Sequence, residues 1–231
     1  MPGRRPLTPF EERQLLRIAR NLNARDQALI TTQWMTGFRI SEVLSLRIRD
    51  VLRNGAIVDK IGITPRNLKG GYGRTRWVPV QPELHRALSR HLGCLRQRIE
   101  PSGDLPLFLS RQDNPDGSAR AISRESARTI LHEAFLRAGI TDDGRLGTHT
   151  LRKTWARSVY EASGRDIVLL RAALNHSDVS VTQAYLEVDA DRLDAAMRRC
   201  DFTRGPQRSA PQPIAFPSPQ RTEAVPDERS A

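Results

Sequence analysis

Apolar residues recur at helical spacing along most of this chain and alternate in only one short stretch. Leu84, Leu88, Leu92, Leu95 and Ile99 fall three or four positions apart behind Pro82, which predicts a helix opening at that proline. Thr8-Pro9-Phe10-Glu11 opens another: Thr8 can cap, Pro9 suits the first turn, and Glu11 can complete a capping box. That helix is expected to run to about Asn21. A second helix from near Asp26 carries Leu29, Ile30, Trp34 and Met35 and is stopped by Gly37; a third, short one starts at Ser41. Ser123 or Ser126 caps a helix that ends at Gly139. Further helices are predicted over 148–161, 166–174, 180–186 and 189–199.

The period changes between residues 49 and 80. Residues 49–53 read as a strand, Asn54-Gly55 as a two-residue hairpin turn, and 56–63 as the return strand. The glycine-rich turn Lys69-Gly70-Gly71-Tyr72-Gly73 leads into a third strand over 74–80, with Trp77 and Val78 expected as its buried part. Residues 101–121 read as loop around a short packed segment, Pro106-Leu107-Phe108-Leu109. The expected class is therefore α+β, mainly helical, with one small three-stranded antiparallel sheet. From Thr203 the composition turns to Pro, Ser, Gln and Arg, which cannot bury a core. The expected organisation is one folded domain over 1–202 and a disordered tail over 203–231.

Charge narrows the functional classes. The 231 residues hold 37 Lys and Arg against 26 Asp and Glu, a net charge of +11. A surplus of this size suits a polyanionic partner, nucleic acid before an anionic membrane. Among the cations only Lys60, Lys69 and Lys153 are lysine, so a lysine in a turn draws interest. Cys94 and Cys200 stand apart, in no metal-spaced pair, as suits a reducing compartment. The N-terminus leads into no apolar run and no stretch approaches membrane-spanning length, so no signal peptide and no membrane partner are expected, and the localisation read from the sequence is cytoplasmic and nucleoid-associated. No Asp/Glu cluster of metal-binding type stands out, and neither a metal nor another cofactor is expected.

Six polar residues then stand in a telling order. Arg39 sits in Thr36-Gly37-Phe38-Arg39-Ile40-Ser41-Glu42-Val43, and Lys69 in the glycine-rich turn. His149 and Arg152 form His-Thr-Leu-Arg, three apart on one helical face. His176 sits in Leu174-Asn175-His176-Ser177, and Tyr185 follows nine residues later. Each has a plain structural reading: Glu42 as a salt-bridge partner for Arg39, Lys69 as a solvated turn residue, the histidines as scaffold, Tyr185 as a half-buried aromatic. The ordered set is far more specific than any one of them. His85, His91 and His132 have no motif around them.

In this order and these contexts the six residues resemble the active site of tyrosine recombinases of the phage integrase type, over about residues 7–200. The resemblance implies a site-specific recombinase that cleaves and rejoins DNA through a 3′-phosphotyrosine on Tyr185, without metal or ATP. Arg39, Arg152 and His176 would meet the charge on the phosphate, Lys69 would protonate the departing 5′ oxygen, and His149 would accept the tyrosine proton or orient its neighbours. It also implies a homotetramer on two double-stranded DNA sites, with 189–199 as the helix packed onto a neighbour. An accessory or partner recombinase is a further implied partner.

Two departures stand out. Asn175 replaces the usual glycine before the second histidine, and asparagine tolerates the same left-handed helix end. The catalytic pattern also begins almost at Met1, so no N-terminal core-binding domain is expected, as in the short fimbrial-type recombinases. The alternative readings are a DNA-binding protein of the same fold with weak or partner-dependent catalysis, a type IB topoisomerase, and an anion-binding module without activity.

Overall fold

The computed structural model describes residues 4–64, 75–97 and 102–174. The elements run α1 (Pro9–Arg20), α2 (Ala24–Thr36), α3 (Ile40–Ser45), α4 (Ile48–Val51), β1 (Leu52–Arg53), β2 (Ala56–Ile57), β3 (Lys60–Ile63), β4 (Arg76–Pro79), α5 (Pro82–Arg96), α6 (Arg124–Arg137), α7 (Thr148–Ala162) and α8 (Ile167–Leu174). The class is α+β and mainly helical, as the periodicity implied. The helices expected over 180–186 and 189–199 and the tail from 203 lie outside the described residues.

Local signals set the helix ends. Thr8 accepts from the Glu11 amide while the Glu11 carboxylate accepts from the Thr8 amide, closing the expected capping box on α1. Asn23 caps α2 through the Asp26 amide, and Ser123 caps α6 through the Ser126 amide. Gly37 ends α2 in the left-handed region, φ 61°.

α2 is the central element. Ala28 and Leu29 face one buried cluster with Phe38, Val43, Ile61, Val78, Leu84, Leu88 and Phe108. Ile30 and Trp34 face a second with Leu7, Leu15, Leu131, Phe135 and Leu151. A helix covered on both sides must also satisfy its buried polar groups. The Thr36 hydroxyl donates to the Thr32 carbonyl at 2.6 Å, and Gln33 Nε2 donates to the Thr148 carbonyl at 2.7 Å. The second bond ties α2 to the start of α7. The expected packed segment before α6 is present, with Leu107 and Phe108 fully buried.

Among the described residues the expected three-stranded meander is corrected to two separate two-stranded antiparallel sheets, β1–β2 and β3–β4. The Asn54-Gly55 hairpin forms as expected, both residues at positive φ (51° and 79°), pairing Leu52 with Ile57. The strand expected before it is mostly the short helix α4. Asp50 accepts from the Arg47 amide at 2.8 Å, and Ile48 and Val51, one helical turn apart, are both buried. The return strand changes partner at Val58-Asp59. The Val58 amide still bonds the Val51 carbonyl at 3.1 Å, but the Asp59 carbonyl accepts from Val80 at 2.8 Å, and β3 then pairs with β4.

Trp77 is a second correction. It is 59% exposed and lies flat on Gly62, its cross-strand partner, while Arg76 and Val78 face inward. Alternation puts 76 and 78 on one face, and that face accepts a buried guanidinium for reasons that belong to the site.

Candidate active site

The site grows from the turn between α2 and α3. Gly37 leaves the helix with its amide bonded to the Gln33 carbonyl at 3.1 Å. A side chain here would collide with Trp155 of α7: a Cβ would stand 2.3 Å from its ring. This close approach lets the turn lie directly against α7. Arg39 follows in extended backbone at the head of α3. The Glu42 carboxylate, itself buried, accepts from the Arg39 amide and from Arg39 Nη1, both at 2.7 Å. The plain reading of Glu42 as Arg39's partner is therefore correct, and it also fixes where Arg39 points. The Arg39 side chain stays 27% exposed, so its guanidinium remains open to solvent.

Arg152 sits on α7 and is 1% exposed. Its Nη1 donates to the Gly37 carbonyl at 2.6 Å and its Nη2 to the Leu174 carbonyl at the end of α8, at 3.1 Å. One arginine thus ties the α2–α3 turn to the segment that leads, two residues on in the sequence, to His176. His149 lies one turn earlier on α7, part of its side chain open to solvent and part covered. Partial burial of its ring, then the charges of Arg152, Arg39, Arg4 and Lys153, hold its pKa below the ordinary 6.5. A neutral imidazole at neutral pH is a proton acceptor. The Arg4 side chain bonds the Gly144 carbonyl at 3.1 Å and also the Leu146 carbonyl, bracing the turn before α7.

The structure therefore brings Arg39, His149 and Arg152 together around one turn, from positions more than a hundred residues apart. Lys69, His176 and Tyr185 lie outside the described residues. Lys69 falls in the connection between β3 and β4, which pair antiparallel up to Ile63 opposite Arg76.

Two further residues belong to this cluster. Arg76 is buried, its guanidinium carbon 4.8 Å from the Phe38 ring centre and 5.0 Å from that of Trp155. Its Nη2 donates to the Thr36 carbonyl at 2.5 Å, and its Nη1 stands 3.9 Å from Glu42. The signal that could have found it is the strand period, which sets Arg76 on the same face as Val78. Trp155, one turn beyond Arg152, had no distinguishing pattern. Among the described residues no group of three or more His, Cys, Asp or Glu is placed to hold a metal ion, and no helix is long and apolar enough to cross a membrane.

A site of this kind presents three guanidinium groups, Arg39 open and Arg152 and Arg76 deep, beside a neutral imidazole. That suits a tetrahedral oxyanion such as a phosphodiester. The chain is 30% identical over 181 residues to the tyrosine recombinase XerD of Corynebacterium glutamicum, covering 78% of this chain and 54% of that one. It is 30% identical over 196 residues to the tyrosine recombinase XerA of Pyrococcus furiosus, covering 85% and 62%. Among solved structures, the XerA recombinase matches with a TM-score of 0.64 at 25% identity, covering 87% of this chain and 68% of that one. The site-specific recombinase XerH bound to its difH substrate matches with a TM-score of 0.63 at 25% identity, covering 84% and 54%. The chain spans about half the length of the curated relatives it matches. The model of the Phage integrase family matches residues 5–192, and this chain belongs to that family.

Proposed function

We propose that this chain is a site-specific DNA recombinase that cleaves and rejoins double-stranded DNA through a covalent 3′-phosphotyrosine. The observation that carries this reading is the anchoring of Arg39 and Arg152 on one turn: Arg152 bonds the Gly37 carbonyl, and Arg39, two residues on, is set by Glu42. Two guanidinium groups fixed before substrate arrives suit the charge that builds on a phosphate in the transition state.

The steps follow from the residues. The Tyr185 hydroxyl oxygen attacks the scissile phosphorus, and His149, neutral at the start, takes its proton. The bond from phosphorus to the 5′ oxygen breaks, and the Lys69 ammonium gives that oxygen a proton. Arg39, Arg152 and His176 donate hydrogen bonds to the non-bridging oxygens throughout. Rejoining reverses the sequence: a 5′ hydroxyl from another strand attacks, Tyr185 leaves and regains its proton. Each cleaved bond is replaced by one of similar energy, so the scheme draws on side chains and DNA alone. Four copies on two DNA sites would complete an exchange of both strand pairs, and an accessory or partner recombinase would bear on site choice. The basic surplus supplies backbone attraction, which falls with salt. The proposed activity on DNA would set this chain in the cytoplasm, associated with the nucleoid.

The test is a suicide duplex carrying a nick near a candidate site in the DNA flanking the gene. Wild-type protein should form a covalent adduct resistant to denaturing electrophoresis, and Tyr185→Phe should form none. Binding without an adduct would replace this reading by a DNA-binding protein whose catalysis needs a partner. An adduct that persists in Tyr185→Phe would mean another nucleophile.

A further inference from the structure

Arg76 is chemically out of place. Its strand neighbours on the inner face of the β3–β4 pair, Ile61, Ile63 and Val78, are apolar, and the Arg76 side chain is only 4% exposed. A guanidinium taken that far from water is costly unless its partners offset the loss, and an apolar residue of similar volume is often the more stable choice. Four of its contacts lie in the site. Phe38 and Trp155 present ring faces to it, Thr36 accepts its hydrogen bond, and Glu42 stands at ion-pair distance. Each of them adjoins a residue that the mechanism uses: Phe38 precedes Arg39, Trp155 follows Arg152 by one turn, and the Thr36 carbonyl precedes the Gly37 carbonyl held by Arg152.

We infer that Arg76 is a positioning residue that sets Arg39, through the carboxylate of Glu42, and Arg152, through the 36–37 turn, for the scissile phosphate. The inference rests on the recombinase reading above. Two physical effects support it. First, Thr36 and Gly37 offer consecutive carbonyls, one to Arg76 and one to Arg152, so the two guanidinium groups clamp the turn from both sides. Second, Glu42 faces two cations. Alone with Glu42, Arg39 would form a neutral pair with its charge committed to the carboxylate. With Arg76 beside them the trio carries a net charge of +1, and Arg39 is left able to bind an anion. Arg76 also starts β4, the strand that follows the connection holding Lys69.

The variants are Arg76→Met, which keeps length and apolar volume but removes the charge, and Arg76→Lys, which keeps the charge but not the flat fork. Single-turnover cleavage of the suicide duplex and DNA affinity are measured for each, after the wild-type cleavage position is mapped. Both are repeated on DNA with a methylphosphonate at the scissile position, whose phosphorus centre carries no charge. Arg76→Met should cleave normal DNA about 10- to 100-fold more slowly, as expected when a charged group is displaced by about an ångström. Its DNA affinity should stay within about threefold of wild type, since phosphate contacts elsewhere carry binding. On the neutral DNA the gap between Arg76→Met and wild type should shrink, with Arg76→Lys between them on normal DNA. An equal loss on both DNAs would mean that Arg76 only fills space, and would overturn the inference. So would an Arg76→Met protein that cleaves normally. Failure of wild type itself to form an adduct would sink the recombinase reading and this inference with it, whereas the other two failures leave that reading standing.

Discussion

Replacing Gly37 by alanine tests whether the α2–α3 turn joins stability to chemistry. A Cβ at this position would lie 2.3 Å from Trp155 Cε3 and 2.4 Å from Trp155 Cδ2, well inside contact distance. The backbone is at φ 61°, where a residue with a Cβ costs about 1 kcal/mol more than glycine. Moving a half-buried tryptophan off its seat adds the overpacking cost, about 1–3 kcal/mol. Together these give a loss of about 2–4 kcal/mol, which for a domain of this size lowers the melting temperature by roughly 5–15 °C. Gly55→Ala is the matched control. Gly55 also has positive φ, 79°, but nothing stands within 4 Å of a Cβ there. It should lose only the backbone part, about 1 kcal/mol. The assay is thermal unfolding of both variants by circular dichroism, paired with single-turnover cleavage well below either melting point. Because the Gly37 carbonyl holds Arg152, cleavage by Gly37→Ala should fall about a hundredfold, while Gly55→Ala should cleave like wild type. Indistinguishable melting of the two variants would refute the clash at Trp155, and normal cleavage by Gly37→Ala would refute the coupling to Arg152.

Two pH dependences follow from the electrostatics. Partial burial, then the charges of Arg152, Arg39, Arg4 and Lys153, hold His149 below its unfolded value of 6.5, so the unfolded chain takes the proton first. Stability attached to this residue is present above about pH 6.5 and is lost as pH falls through that value toward the folded pKa. His149→Gln should flatten that part of the stability profile, and the His149 ring titration followed by NMR should have its midpoint below 6.5; a midpoint above it would contradict the electrostatic picture. Arg5 grips Glu11 and, against the opposing effect of burial, with Thr8 assisting, lowers its pKa to about 2. That stabilisation is present above the unfolded value of 4.5 and is lost as pH falls toward 2. Glu11→Gln should be less stable by about 1 kcal/mol at neutral pH, with the gap to wild type closing in acid. A gap that stays constant through the acid range would show that the charge on Glu11 is not what matters.

The longer helices α1, α2, α5 and α6 were legible because each carried both a period and an end signal. Thr8 with Glu11, Pro82 and Ser123 are written in the local sequence, and the structure uses each of them. The sheet was less legible because pairing is a long-range choice. Nothing within 56–63 announces that β2 pairs backward with β1 while β3 pairs forward with β4. Residues 49–51 looked extended on propensity, but burial of Ile48 and Val51 and the Asp50 cap turned them into helix. Trp77 lies outside although it is the largest apolar residue of its strand. Register decided this, since flipping Trp77 inward would turn Arg76 and Val78 outward together.

The same register explains why part of the site escaped the sequence. Arg39, His149 and Arg152 could be singled out because each sits in a short ordered pattern. Trp155 could not, and Arg76 only through the strand period that pairs it with Val78, because their importance is a property of three elements meeting. A cluster of arginines is unstable in isolation: like charges at these distances repel, and each must also shed water. The fold offsets this with groups that are themselves fixed by the core. Glu42 is buried at the end of its first helical turn, Thr36 and Gly37 offer carbonyls where α2 stops, and Phe38 and Trp155 present ring faces. On the proposed function none of these need reorganise when a phosphate arrives, which is where a site of that kind gains over water. The corollary is that α2 serves as both core helix and active-site support. Its two apolar sides fix the position of the turn at its C-terminal end, and that turn fixes the arginines. Substitutions among the buried residues of α2 should therefore register in cleavage before they register in DNA binding.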